Sequence, residues 1–370
     1  MKIYLIAGEA SGDLHAAKLI REFKKLHPEA EFRAWGGDLM AAAGAQIVKH
    51  YRELAFMGFA EVVRNLPAIL GNMRFCKDDI LAYKPDLVVF IDYPGFNLRI
   101  APFVKSLGIK TAYYISPQLW AWKEGRVKII RQHIDLMICI LPFEADWYAQ
   151  RGVKAHYVGH PLLDAMAEHP FDPQFRATHQ LDERPIIALL PGSRKQEIRL
   201  KLPIMLEAAS RFPEHQILVA AAPGQEAGFY QEVAAGKAMK TISNNTYDLL
   251  RNAEAAMVTS GTATLETALL DCPELVAYKG SPLSYAIGKQ LVKVKYISLV
   301  NLILDRLLVK ELIQGDCNPN ALAKEMEQLL QNESHREQLK LGYHELRNKL
   351  GGAGASARAA SLISNFLKAL

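Results

Sequence analysis

Strand-length apolar runs alternate with segments of helical period along most of this chain. That alternation limits it to an α/β fold with mainly parallel sheets. Lys2–Ala7 reads as a first buried strand. After the turn Gly8–Gly12, Asp13 is placed to cap a helix in which Leu14, Ala17, Leu19, Ile20, Phe23 and Leu26 recur at three- and four-residue steps, with Pro28 ending it. Further strands are expected at Glu31–Trp35, Asp86–Ile91, Thr111–Ile115, Leu136–Ile140 and Ala155–Val158.

The alternation pauses at Glu168–Pro185, a polar stretch carrying Pro170, Pro173 and Pro185, which reads as a domain boundary. A second series follows, with strands near Ile186–Leu190, Gln216–Ala220, Ala255–Val258 and Leu275–Ala277. Helices are expected at Glu197–Arg211, Thr264–Leu270 and Pro282–Val292. From Asn318 onward the pattern is helical. Asn318 is the expected N-cap with Pro319 at the first helical position, Gly351–Gly354 is a break, and Ala357, Ala360, Ile363 and Leu367 mark an amphipathic last helix. The 370 residues leave room for two domains of roughly 150 each. The halves read as two doubly wound, Rossmann-like sheets facing across a cleft.

Composition narrows the class. With 50% hydrophobic and 22% charged residues the chain is not disordered, and no apolar run reaches the roughly 18 residues of a membrane-spanning helix. Met1-Lys2 and Ile3–Ala7 make too short a segment for a signal peptide, so export is not expected. Cys76, Cys139, Cys272 and Cys317 are scattered, against both a disulfide framework and a zinc site. A net charge of +5 is too mild to predict nucleic-acid binding but suits an anionic substrate or membrane surface. The P-loop pattern, a Gly-x-Gly-x-x-Gly fingerprint and a His-Glu-x-x-His helix are all absent.

The informative residues lie at the ends of expected strands, where open α/β sheets place ligands. In Gly8-Glu9-Ala10-Ser11-Gly12-Asp13 the glycines allow a sharp turn, and the two acids suit a hydroxyl-rich ligand better than a phosphate. The plain alternative is a tight turn with a capping Asp13. Asp92, directly after Leu87–Ile91, is placed where a carboxylate can be tuned for proton abstraction, or where it merely braces the turn before Pro94. In Leu190-Pro191-Gly192-Ser193-Arg194 a permissive glycine, a hydroxyl, a helix start and a forked cation coincide, which favours a diphosphate site. Ser260-Gly261-Thr262, again strand, turn, helix, suits phosphate, and Glu266 one turn on can accept from ribose hydroxyls.

Two stretches resemble surfaces: Trp120 and Trp122 with Lys123, Arg126, Lys128 and Arg131, and the apolar set Phe56, Phe59, Val62, Val63, Leu66, Ile69 and Leu70. Each is a core stripe by default and an interfacial membrane patch if exposed. His160, in Gly159-His160-Pro161, is read as structural.

Taken in order, these motifs resemble the lipid-A-disaccharide synthase family. They are joined by Ser116-Pro117-Gln118-Leu119-Trp120-Ala121-Trp122, Leu141-Pro142-Phe143-Glu144, Tyr296–Ile303 and Val309-Lys310-Glu311-Leu312. The resemblance implies a GT-B glycosyltransferase of family 19. Its acceptor and membrane-associated domain would be residues 1–168, followed by a linker at 169–185, a UDP-sugar domain at 186–345, and a C-terminal helix, 346–370, returning to the first domain. The implied reaction is inverting transfer of 2,3-diacylglucosamine from its UDP derivative to 2,3-diacylglucosamine 1-phosphate, giving a β-1,6-linked disaccharide and UDP. Asp92 and Arg194 fall on the family's essential acid and arginine.

Gly192, Ser193, Arg194, Ser260, Gly261, Thr262 and Glu266 would bind UDP, and Glu9, Ser11, Gly12 and Asn301 would lie at or near the acceptor. Phe59, Val62, Val63, Leu66, Ile69 and Leu70 would form the membrane patch. The resemblance departs at Gly95, where relatives carry a second acid, so Asp92 is the lone carboxylate of its turn. No metal or other cofactor and no nucleic-acid partner is expected; the expected place is the cytoplasm, peripherally at the inner membrane. A homodimer exchanging C-terminal segments and a monomer are both compatible with the resemblance. A UDP-sugar epimerase of the same architecture and a two-lobed, non-enzymatic sugar-binding protein are the competing readings.

Overall fold

The first seven strands are β1 (Lys2–Ala7), β2 (Glu31–Gly36), β3 (Ala45–His50), β4 (Leu87–Ile91), β5 (Lys110–Tyr114), β6 (Leu136–Cys139) and β7 (Ala155–Tyr157). They form one parallel sheet in the order β3-β2-β1-β4-β5-β6-β7. A second parallel sheet has the order β10-β9-β8-β11-β12-β13. It is built from β8 (Ile186–Leu190), β9 (Gln216–Ala221), β10 (Lys240–Ser243), β11 (Ala255–Thr259), β12 (Glu274–Tyr278) and β13 (Glu311–Ile313). Both orders are those of doubly wound sheets, with helices between successive strands. The computed structural model describes residues 1–54, 66–281, 285 and 294–368.

The chain divides into two units, Met1–Asp164 with Gly352–Leu370, and Ala165–Gly351. In the first, β1 and β4 are apolar and buried almost throughout. Ile3, Leu5, Val89 and Ile91 face one core layer, and Tyr4, Ile6, Val88 and Phe90 face the other. At about 1.5–3 kcal/mol for each fully buried large aliphatic or aromatic side chain, these layers dominate the unit's stability. The terminal helix Ala355–Lys368 returns here and packs against the helix Ala10–Leu26 of the same chain through Ala359, Ala360 and Ile363. In the second unit the stretch 169–185 is no free linker. It carries the short helix Phe175–Thr178, and Phe175 is buried in that unit's core beside Ile186 and Leu218.

The strands expected from sequence stand within about one residue of their observed bounds, whereas β3, β10 and β13 were not expected. All three are sheet edges, with half-exposed patterns in place of a continuous apolar run. The expected cap also differs. Asp13 lies inside its helix and accepts from the backbone N–H of Gly37 (2.8 Å), Leu39 (3.2 Å) and Met40 (3.0 Å), so it caps the next helix, Asp38–Ala42. Leu14 and Leu26 of the expected apolar stripe face solvent. Asn318 does cap as expected, accepting from Ala321 N–H at 3.0 Å with Pro319 at the first position. The expected helix Pro282–Val292 lies outside the described residues, Tyr285 apart.

The chain leaves the first unit at Asp164 and re-enters at Gly352, and one carboxylate ties the two passages together. Asp164 accepts from the N–H groups of Gly354 (2.5 Å), Ala355 (3.1 Å) and Ser356 (3.1 Å) at the start of the terminal helix. Burial pushes this carboxyl's pKa up, but the amides outweigh it and hold it below the usual carboxylate value. Asp164→Ala should therefore cost about 2 kcal/mol in urea unfolding at pH 7, the upper end for a lost cap. A depressed folded pKa stabilises above the unfolded pKa, so the difference from wild type should shrink as pH falls below about 4. Equal stability of the two proteins at pH 7 would remove the clamp.

Candidate active site

Parallel register decides which loops of the first unit meet. Ala7 pairs with Ile91 and Ile91 with Tyr114, so Gly8, Asp92 and Ile115 leave the same sheet edge side by side. Gly8 admits the ring of Tyr93, which a Cβ at that position would meet at 2.4 Å. Asp92, Tyr93 and Ile115 all take positive φ, at 43°, 47° and 62°. For a β-branched residue such as Ile115 that conformation is costly, and strain of this kind gathers at functional edges.

Asp92 is held by its backbone. Its carbonyl accepts from Tyr113 Oη at 2.5 Å and from Asn97 Nδ2 at 2.7 Å, and its N–H donates to Tyr114 O at 3.2 Å. The residue as a whole is half-buried. Burial, then the negative charge of nearby Glu9, raises its pKa to about 6, where a carboxylate can both exist and accept a proton near neutral pH. Glu9 and Ser11 are exposed on the neighbouring loop. Gly12 is buried, and a Cβ there would press Ala7 Cβ at 3.1 Å, so the glycine permits close helix-to-strand packing. Gly95 is exposed with nothing within 4 Å of an added Cβ, so the missing second acid leaves open space.

His160 is buried, and burial lowers its pKa to about 4, leaving it neutral, with Nδ1 accepting from Leu162 N–H at 3.2 Å. That fits a structural residue.

The aromatic stretch divides. Trp120 donates its indole N–H to Glu144 at 3.0 Å, and Glu144 also accepts from Ser116 Oγ (2.5 Å) and from the N–H groups of Ile140 and Leu141. Glu144 thus ties the Ser116–Trp122 and Leu141–Glu144 motifs together, and Trp120 is half-buried with its indole N–H held inward. Trp122 is 41% exposed, with Lys123 Nζ 4.0 Å from its ring centre. Of the apolar patch, Phe56, Phe59, Val62, Val63 and the side chain of Leu66 lie outside the described residues. Ile69 is half-buried, and on the helix Leu66–Tyr83 Leu70 is 57% exposed and Phe75 45%.

In the second unit Leu190 pairs with Val258, which brings the loops after β8 and β11 together around a pocket of about 300 Å³. Gly192, Ser193, Glu197, Ser260, Gly261, Thr262 and Glu266 line it. Two helix starts, Lys195–Ala209 after Arg194 and Thr262–Leu269 after Gly261, converge there, each contributing about half a positive charge and free N–H groups. Arg194 is exposed at the rim, 3.4 Å from Glu197. Ser260 donates its hydroxyl proton to Ile297 O at 2.7 Å, so a ligand meets backbone donors here more than that side chain.

A second pocket, of about 360 Å³, shares Glu266 and Thr246 with the first and adds His169, Asn244 and Tyr247. Burial raises the Glu266 pKa, and Tyr247 Oη donates to it at 3.1 Å. The first pocket suits a diphosphate, and the second, with an aromatic ring and amide and carboxyl groups, suits a nucleoside.

Asn301 belongs to the second unit and is fully buried. Its amide donates to Val309 O and Glu311, and its carbonyl accepts from Leu308 and Val309 N–H, so all four hydrogen-bonding positions are filled. Glu311 in turn accepts from Ile297 and Ser298 N–H, the loop that Ser260 touches. Asn301 braces the pocket from behind. Among the described residues no group of three or more His, Cys, Asp or Glu side chains is placed to hold a metal ion.

A profile of the family described as "Lipid-A-disaccharide synthetase" matches residues 3–366. Lipid-A-disaccharide synthases of Syntrophus aciditrophicus (strain SB) and Myxococcus xanthus (strain DK1622) are 41% and 38% identical to this chain. Each alignment covers 99% of this chain, with 98% and 97% of the respective relative. The chain belongs to the lipid-A-disaccharide synthase family. Members are glycosyltransferases, and the two parallel sheets are those of the GT-B fold. A Neisseria meningitidis UDP-GlcNAc 2-epimerase, solved with UDP-GlcNAc bound, superposes with a TM-score of 0.68 at 14% identity over all of both chains. The calicheamicin glycosyltransferase CalG4 does so at 0.60 and 15% over 99% of this chain and 98% of its own. At such identities the likeness concerns the fold alone.

Five positions of this lipid-A-disaccharide synthase family member are not legible in its sequence as site residues. Tyr113 is hidden in an apolar strand, and only its register opposite Phe90 brings it beneath Asp92. Asn97 had a weak signal, as a polar residue on an otherwise apolar helix face five residues past Asp92. His169, Asn244 and Tyr247 had none, because they converge from separate segments.

Proposed function

We propose that this chain transfers a 2,3-diacylglucosaminyl group from its UDP derivative to 2,3-diacylglucosamine 1-phosphate, inverting the anomeric carbon and releasing UDP. The observation that carries the reading is the family match over residues 3–366, which takes in both the Asp92 edge and the glycine-turn pocket. Asp92 takes the proton of the acceptor's 6-hydroxyl as that oxygen attacks the anomeric carbon opposite UDP. UDP leaves as a stable anion and needs no protonation, so one base suffices. The helix starts at Arg194 and Gly261, with the Arg194 guanidinium, answer the charge growing on the β-phosphate. Glu266 takes the ribose hydroxyls.

The substrates are lipids, and Leu70 and Phe75, exposed on one helix of the first unit, support a peripheral seat on an anionic membrane. Among the described residues no helix is long and apolar enough to cross one. Mass spectrometry of products formed from both acylated substrates in anionic vesicles, with co-sedimentation measured alongside, tests the proposal. A disaccharide 1-phosphate, UDP and vesicle-bound protein are expected. UDP-N-acetylglucosamine supplied alone should remain unchanged; its conversion to an epimer would overturn the reading.

A further inference from the structure

The diphosphate pocket contains a carboxylate, which an anionic ligand should not tolerate. Glu197 lines it and lies hard against the turn: a Cβ added to Gly192 would stand 2.5 Å from Glu197 Oε2, in a backbone conformation (φ 117°) that only glycine enters freely. Two cations answer this carboxylate. Arg194 Nη1 is 3.4 Å from Oε1, and Lys201 Nζ, one helical turn on, is 3.8 Å from Oε2.

The two cations differ in freedom. The Arg194 side chain is 63% exposed and can turn away; that of Lys201 is 2% exposed, on the face of its helix that carries buried Ile198, Leu202 and Met205. Burying an ammonium with one loose partner is costly, and an apolar side chain of equal length would fill the same space. The pKa of Lys201 is lowered by that burial, partly offset by the Glu197 carboxylate, with the Arg194 charge adding to the lowering.

We propose that Lys201 is a positioning residue that keeps Glu197 neutralised and drawn back when Arg194 leaves it for the diphosphate of a bound nucleotide. Arg194 cannot serve both carboxylate and phosphate with the same guanidinium edge. Without a second cation, each binding event would leave Glu197 bare beside the incoming charge. Lys201 removes that penalty from behind the loop without touching the ligand. The inference rests on the nucleotide reading of this pocket and adds a residue and a division of labour to it.

The test is a cycle of UDP titrations by calorimetry on the full chain, with thermal melts in parallel. Lys201→Met should raise the UDP Kd at least about tenfold in the wild-type background, the scale for stripping one partner from a buried charge pair. In the Glu197→Gln background, where there is no charge left to answer, the same change should cost less than about threefold. Lys201→Gln is run beside Lys201→Met, so that a poorly folded Met variant leaves the comparison intact. A merely structural lysine would shift the melts and give equal effects on Kd in both backgrounds. That result, or an unchanged Kd in Lys201→Met, would overturn the proposal. Failure of the wild-type chain to bind UDP would instead overturn the nucleotide reading beneath it.

Discussion

Asp92→Asn should lower kcat by about a hundred- to ten-thousandfold, the range for loss of a positioned general base, while the UDP Kd stays within twofold. The amide fits the space and leaves the backbone clamp from Tyr113 and Asn97 in place, so the fold survives. The pH profile carries more information than the single rate. Only ionised Asp92 accepts a proton, and its pKa of about 6 places the acid limb of kcat/KM there, with the rate falling tenfold per unit below it. Burial causes most of that elevation and Glu9 adds to it. Glu9→Gln should therefore move the acid limb to lower pH without abolishing turnover. Near-normal turnover in Asp92→Asn would assign the base elsewhere, with Glu9 the next carboxylate to examine.

Arg194→Ala should lower kcat a hundred- to a thousandfold, equivalent to about 2.7–4 kcal/mol, as for loss of one preorganised donor to a developing anion. Its melting temperature should barely move, because the side chain is exposed and its ion pair with Glu197 is a rim contact, worth about 1 kcal/mol at most. Retention of more than a tenth of the activity would take Arg194 out of the transition state and leave the charge to the two helix starts. The two substitutions are independent. One removes the base in the first unit and the other the anion clamp in the second, so their effects on binding should separate: UDP affinity falls with Arg194 and not with Asp92.

Most of the ligand-bearing edge was legible because it is local. A glycine that must turn, an acid ending an apolar strand and a helix start after β8 are each written within eight residues, as in Leu190–Glu197. The same locality misled where a side chain serves a distant partner. Asp13 reads as the cap of its own helix, yet its carboxylate reaches Gly37, Leu39 and Met40, more than twenty positions on. Trp120 reads equally as core or interfacial aromatic, and only the fold shows that Glu144 holds its indole. The partners of Asn301 are just as invisible in its own motif: the 308–311 loop fills all its hydrogen bonds.

The sequence by itself determined the interior of each sheet and the turns that leave it. A strand buried on both faces, such as Val88–Ile91 or Ile186–Leu190, must be continuously apolar, and that pattern needs no neighbour to be read. Tertiary structure alone decided the edge strands β3, β10 and β13, which share their exposure with solvent and so carry no such pattern. It also decided what surrounds the reactive groups: Tyr113 beneath Asp92, and Lys201 behind Glu197. Apolar burial is a property of single residues summed along a segment. A carboxylate's charge, reach and pKa depend on partners that only parallel register and helix packing bring alongside it.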